Sequence, residues 1–465
     1  MKGRWIRFIA IFATALLSQA ASLVDNTFNI GTGANGIVEQ VLQQPDGKIL
    51  ICGNFTSFNG LNKGYVARLN NDGSVDSSFT AGPGYWTRHM ALQADGKIVI
   101  GGFFTTVEGQ KRNRIARLNT NGSLDTSFDI GAGCEGTLGV AIDGNADPFV
   151  MWCEVLPSGR ILATGNFTNY NTTQAYGIIA INPNGSRDTT FDIGGTGLDS
   201  WGRSIKPLDN GQVMLSGWFQ NYRGFGANRL VRINADGSPD TTFHPYYGDS
   251  TAIYSVVQQS NGQLITSGHS LNTRGLFKRE VERINADGSV DSSWPGFTNE
   301  KTECLLIQTN GKVVVSGYFS QVNGQPRSCL ARFNADGSLD DTFLANADNY
   351  VWTIAAGGPG KILVSGGFTL IDGIPRAGVA RLNLPEGSSG GVTTPPRPTI
   401  LNAHVSGSFQ CTVGSVSGFN YVLQYKSGAP GSAWVSLPAV AGTGGPLALS
   451  DGRPSAPRFY RVVVQ

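Results

Sequence analysis

A phrase recurs along this chain: Leu-Asn-Asn-Asp-Gly-Ser-Val-Asp-Ser-Ser-Phe from Leu69, Leu-Asn-Thr-Asn-Gly-Ser-Leu-Asp-Thr-Ser-Phe from Leu118, and Ile-Asn-Ala-Asp-Gly-Ser-Pro-Asp-Thr-Thr-Phe from Ile233. Its glycine falls at Gly73, Gly122, Gly185, Gly237, Gly288 and Gly337, in steps of 49, 63, 52, 51 and 49 residues. A period of about fifty residues is that of a four-stranded propeller blade. A second phrase travels with it, as in Gln-Pro-Asp-Gly-Lys-Ile-Leu-Ile-Cys-Gly-Asn-Phe from Gln44, and has seven copies, turning at Gly47, Gly96, Gly159, Gly211, Gly262, Gly311 and Gly360. Each copy is an Asp-Gly or related turn followed by an apolar run, a strong hairpin signal.

Each repeat therefore predicts two hairpins and four strands, A to D in chain order, with no helical periodicity. Such a sheet cannot bury both its faces alone, and stacking units around a ring buries each against two neighbours. The seventh unit ends at Asn383-Leu384-Pro385-Glu386-Gly387 without its D phrase, whereas Ser22-Leu23-Val24-Asp25-Asn26-Thr27-Phe28 supplies that phrase at the other end. The expected fold is all-β: a seven-bladed β-propeller closed by an N-terminal strand.

The paired phrases resemble those of the delta-60 repeat β-propeller family, from about Ser22 to Gly391. The resemblance implies a fold but no reaction, because one fold hosts many functions. Units four and five depart most: Ser270 stands where the first unit has Phe55, and Trp294 where the preceding unit has Phe243.

Around the repeats, Met-Lys-Gly-Arg-Trp-Ile-Arg, an apolar stretch from Phe8 to Leu17 and Ser18-Gln19-Ala20 read as a signal peptide over residues 1–20. The expected location is secreted or cell-envelope, with no membrane span. Losing Lys2, Arg4 and Arg7 moves the formal charge from +2 to about −1, which argues against nucleic acid as a partner. The propeller is placed at 21–391 and a Pro-rich linker at 392–399. Residues 400–465 are expected to form a small β-sandwich that loosely resembles fibronectin-III or immunoglobulin-like modules, with Trp434 in its core. Of six cysteines, Cys134 and Cys153 bracket the extra residues that stretch one repeat step to 63 and are the candidate disulfide; the alternative is buried thiols.

If the strands alternate, both glycine turns lie on one rim, while the B–C and D–A connections lie on the other. Ser57 to Gly64, Thr106 to Arg114, Asn169 to Gly177 and Arg223 to Arg229 differ from repeat to repeat, as a binding face on a rigid scaffold would. Eight residues before each first-turn glycine stand Glu39, Arg88, Met151, Arg203, Tyr254, Glu303 and Trp352; two residues further on stand the apolar Val41, Met90, Cys153, Ile205, Val256, Leu305 and Ile354. With A innermost, the first set rings the mouth of the central channel. Glu39, Arg88, Arg203, Tyr254, Glu303 and Trp352 are thus candidate ligand residues for an extracellular glycan or protein, or else an internally paired plug.

The Asn-x-Asp-Gly-Ser-x-Asp turns offer about three oxygens where calcium needs six to eight, and are read as self-bonded turns rather than metal sites. Arg68, Arg117, Arg232, Arg283, Arg332 and Arg381 precede these turns and are expected to pair with the phrase's aspartate, although the third unit has Ala180 there. No catalytic set or cofactor motif is recognised among His89, His244, His269 and His404. The leading reading is a monomeric, non-enzymatic binding or adhesion propeller. A carbohydrate-active enzyme using Glu39 and Glu303 and a purely structural surface module are the alternatives.

Overall fold

The computed structural model describes residues 22–139, 147–191, 197–245, 252–271 and 279–385, then 399–405, 408–414, 420–427, 434–441, 446–452 and 458–464. The leader and all but the last residue of the linker lie outside the described residues.

Seven antiparallel sheets follow one another along the chain. In each, an A strand pairs with B and B with C, as in Ile37–Gln43, Ile49–Asn54 and Val66–Leu69 of the first sheet. The B strands are apolar in succession because both of their faces are covered: Ile49, Leu50, Ile51 and Cys52 are all fully buried. The D phrase contributes one bridge rather than a fourth strand, for example Leu69 with Val75, Leu118 with Leu124 and Ile233 with Pro239. The reason is local. Asp76 Oδ1 accepts from the Ser78 backbone N–H at 3.0 Å and its hydroxyl at 2.6 Å, turning the chain away and sending Phe79 into the core.

Among the described residues the B–C connections vary in residue type but keep one backbone form. Six contain a short two-stranded hairpin, the first pairing Ser57–Phe58 with Leu61–Asn62 around Asn59 (φ 48°) and Gly60 (φ 73°). Two successive positive φ values are what a type I′ turn requires. Asn-Gly at 59–60 and 323–324 is thus a third hairpin signal in the repeat, absent from the two-hairpin reading. These hairpins bridge to the D–A connections, Ala34 with Phe58 and Pro83 with Val107, so both connections share one rim.

The phrase's aspartate is a clamp. Asp76 takes Lys48 Nζ at 2.7 Å and Arg68 Nε at 2.8 Å, while Arg68 also donates to the Thr120 carbonyl of the next repeat at 2.6 Å. The same arginine lies over the ring of Phe79, 4.7 Å from its centroid. Asp72, one turn earlier, accepts from the Ser74 backbone and hydroxyl, as the self-bonded reading of the turns requires.

Apolar clusters lie between successive sheets. One joins Leu50 and Cys52 of the first to Met90 and Ile98 of the second; another joins Leu363 and Val379 of the seventh to Val38 and Ile49 of the first. The seven residues two places beyond the ring positions, from Val41 to Ile354, are buried throughout. At the N-terminal end, Val24 bridges Leu382, Asp25 N–H donates to the Arg381 carbonyl at 2.8 Å, and Asp25 meets Arg381 Nε at 2.7 Å and Lys361. Arg381 then reaches the Asn71 carbonyl of the first repeat at 2.8 Å.

All six cysteines are free thiols, so the expected Cys134–Cys153 bridge is not formed; both side chains are buried in one apolar cluster, as small hydrophobes are. The C-terminal residues form a three-stranded and a four-stranded antiparallel sheet around Cys411, Val413, Tyr421, Leu423, Leu447 and Leu449. Trp434 is not part of that core. Arg461 and Lys426 cover its ring, 4.2 and 5.1 Å from the centroid, so it sits on the outer face under two cations, and Tyr421 fills the buried position.

Candidate functional site

Every A strand carries a β-bulge, and in each sheet it falls on the ring residue. Pairing jumps between Val38 and Gln40, Thr87 and His89, Val150 and Trp152, Gly202 and Ser204, Ile253 and Ser255, Thr302 and Cys304, and Val351 and Thr353. Glu39, Arg88, Met151, Arg203, Tyr254, Glu303 and Trp352 are the residues left over. A bulge re-aims a side chain, and here it turns two consecutive residues toward the same space: Arg88 with His89, Met151 with Trp152, and Trp352 with Thr353 line one cavity. All six predicted site residues line it as well.

The glycine of each Gly-x-Phe phrase permits the bulge. A Cβ on Gly53 would stand 2.1 Å from the Ile37 carbonyl oxygen, and one on Gly317 would stand 2.1 Å from that of Lys301. The backbones approach too closely for any other residue.

The ring is internally paired. Arg88 Nη1 lies 2.9 Å from Glu39 Oε1, and Arg203 Nη2 donates to Glu303. Trp352 stands between the two arginines, its ring centroid 5.4 Å from one guanidinium and 5.6 Å from the other. Arg203 also stacks over Tyr254 at 4.2 Å, and Arg88 over Trp86 at 5.0 Å. Burial pushes both carboxyls upward, and the two arginines oppose that shift. Burial likewise raises the Tyr254 phenol to about 12 and the Cys304 thiol to about 11, and lowers the His89 imidazole to about 3. The cavity left between these groups is about 50 Å³, room for a few water molecules.

A family described as "Domain of unknown function (DUF5122) beta-propeller" matches residues 44–79, 93–128, 156–191, 208–243, 308–343 and 360–388. Its repeats are those of a β-propeller family. The fifth propeller unit, where Ser270 and Trp294 depart from the pattern, falls outside the matched segments. No curated protein matches the chain. Among solved structures, the WD40 β-propeller domain of Doa1 is similar at 10% identity and a TM-score of 0.47, covering 78% of this chain and 97% of that one. A gluconolactonase from Xanthomonas campestris is similar at 14% identity and a TM-score of 0.34, over 62% of this chain and 84% of that one. An exo-β-1,3-galactanase from Phanerochaete chrysosporium follows at 12% identity and a TM-score of 0.29, over 85% and 98%.

Around the ring the propeller repeats place a belt of aromatics that the A-strand comparison misses. Trp86 stacks on Phe103 at 4.9 Å and Phe103 on Phe149 at 4.8 Å; Phe149 meets Trp201 at 5.8 Å, Trp201 meets Trp218 at 5.3 Å, and Trp218 meets Tyr254 at 6.4 Å. Tyr318, Tyr350 and Trp352 form a second group, Tyr318 and Tyr350 stacked at 4.8 Å. Beside the ring residues Tyr254 and Trp352, two repeat positions supply the belt: the x of Gly-x-Phe (Phe103, Trp218, Tyr318) and the residue two before the ring (Trp86, Phe149, Trp201, Tyr350). The position is legible in the sequence, because x varies in every part of the repeat region while the residue after it is Phe in every unit but the fifth, which has Ser270.

Proposed function

We propose that the protein is a secreted or cell-surface, non-enzymatic binding propeller that takes a glycan or protein ligand on its long-loop rim beside the channel mouth. In this reading residues 1–20 are a signal peptide, and 21–391 form a seven-bladed delta-60-type ring closed by the N-terminal strand. The C-terminal residues form a fibronectin-III or immunoglobulin-like module used as a spacer or anchor. The bridge from Val24 to Leu382 and the packing of Leu363 against the first sheet support closure.

The observation that carries the reading is the state of the two carboxylates. Glu39 and Glu303 are each engaged by an arginine, over a cavity too small for a sugar ring. A glycosidase pair needs an unencumbered acid and a substrate ring between the carboxyls. The aromatic rim is left as the recognition surface, with Tyr318 and Tyr85 exposed.

The test is a glycan and peptide array with the leader-free protein, with and without calcium, followed by a product assay on each retained compound. Retention without product supports the reading. Release of product, abolished by Glu39→Gln or Glu303→Gln, replaces it with the enzyme.

A further inference from the structure

The ion pairs at the channel mouth do not exhaust the groups that form them. Arg88 has Glu39 as its one polar partner among the described residues, and Arg203 has Glu303. A guanidinium carries five N–H donors, so most of the donors on these two side chains are uncommitted, although Arg88 is only 9% exposed. On the acceptor side, Glu39 Oε1 is buried and lacks a hydrogen bond of good geometry despite its 2.9 Å approach to Arg88. A buried acceptor left in this state is expensive unless something completes it. All four side chains line the same small cavity, and Trp352 and Tyr254 form its aromatic wall.

Resting on the binding reading above, we propose that this cavity is the end-on subsite for a neutral carbohydrate, which inserts a hydroxymethyl or vicinal diol between Arg88–Glu39 and Arg203–Glu303. The chemistry selects a hydroxyl. Each Arg–Glu pair presents a donor beside an acceptor, and a hydroxyl both accepts and donates. A carboxylate ligand would accept from the arginines but meet Glu39 and Glu303 as like charges, and an ammonium would meet the two arginines. The two pairs balance in charge and leave no net field for an ion of either sign. The cavity of about 50 Å³ admits the terminal group but not a sugar ring, so the ring must rest on the aromatic rim while the group enters.

The experiment is an array of oligosaccharides grouped as neutral, uronate-bearing and amino-sugar, probed with the leader-free chain, with calorimetry on each retained neutral compound. Retention confined to neutral glycans is expected, weakened by about tenfold or more in a Glu39→Leu/Arg88→Met double variant, which removes both charges together and spares the fold a lone buried ion. Asp236→Asn, exposed in a glycine turn away from the cavity, is expected to bind within about threefold. Retention of acidic glycans or peptides alone overturns the proposal but leaves the binding reading standing. Neutral-glycan affinity that is unchanged in the double variant overturns the proposal in the same way. Product release from any compound overturns the binding reading itself, and retention of nothing overturns both.

Discussion

Arg160 meets Asp188 through Nε at 2.6 Å and, through Nη1, donates to the Ala235 carbonyl of the next repeat at 2.7 Å. In the first sheet two residues share this work. Lys48 and Arg68 both reach Asp76, and Arg68 alone bridges to the next repeat. The third unit has Ala180 at the arginine position and an arginine, Arg160, at the lysine position. One long side chain does the work of two, which explains why Asp188 is kept without its usual partner. Arg160→Met is expected to destabilise the protein by about 2 kcal/mol, since a hydrogen bond to a charged group is lost at a partly buried aspartate. Adding Ala180→Arg is expected to restore most of that loss. Urea melts of the single and double variants check both, and a double variant no more stable than the single would refute the exchange of roles.

The bulges make a second prediction. Gly317→Ala places a Cβ 2.1 Å from the Lys301 carbonyl oxygen, where only backbone can yield. A loss of about 3 kcal/mol is expected, as for other forced overpacking, whereas Gly324→Ala, with open space around it but φ of 77°, loses about 1 kcal/mol. Equal losses at both sites would show that backbone conformation rather than the close approach governs Gly317.

These glycines also mark how far the sequence could be read. The period, both glycine turns and the buried residues from Val41 to Ile354 follow from local pattern, because turn chemistry and burial leave their signature at fixed spacing. The bulge does not, because it arises from how A pairs with B; Gly53 and its six equivalents are its only trace. The ring residues could therefore be placed together, but their mutual pairing depends on side chains from different sheets, Arg203 with Glu303 and Arg88 with Glu39. Trp434 shows the converse error. An aromatic amid short strands looks like core, yet two neighbouring cations make an outer-face site satisfactory for it.

His89 supplies a pH dependence. Its ring stacks on Trp152 at 3.7 Å, Gln40 Nε2 lies 2.9 Å from its Nε2, and the Cys153 N–H donates to its Nδ1 at 3.4 Å. Burial holds its pKa down to about 3, whereas the unfolded chain takes up the proton near 6.5. A folded value below the unfolded one means stability that is complete above about pH 6.5 and is lost as pH falls toward 3. Compared with His89→Gln, the natural chain is expected to lose up to about 1.4 kcal/mol per pH unit between pH 6 and 4.5. Parallel curves for the two proteins over that interval would contradict the assignment.

The N-terminal segment makes the last prediction, one that separates a closed ring from an open stack. Asp25 is buried between Arg381 and Lys361, and those contacts, with the Thr27 hydroxyl and backbone N–H, outweigh burial and hold its carboxyl well below the usual range. Phe28, three residues on, is fully buried in the cluster that joins the seventh sheet to the first. Phe28→Ala is expected to cost about 3 kcal/mol or more, the usual range for a large aromatic removed from a packed core. Its distinguishing effect is spatial. In a ring, loosening this segment exposes the seam, so amide exchange should quicken at Val379–Asn383 and Ile37–Gln43, at opposite ends of the repeat region, while Val213–Gly217 stays protected. In an open stack the segment would merely cap one end, and exchange at Ile37–Gln43 would not follow that at Val379–Asn383.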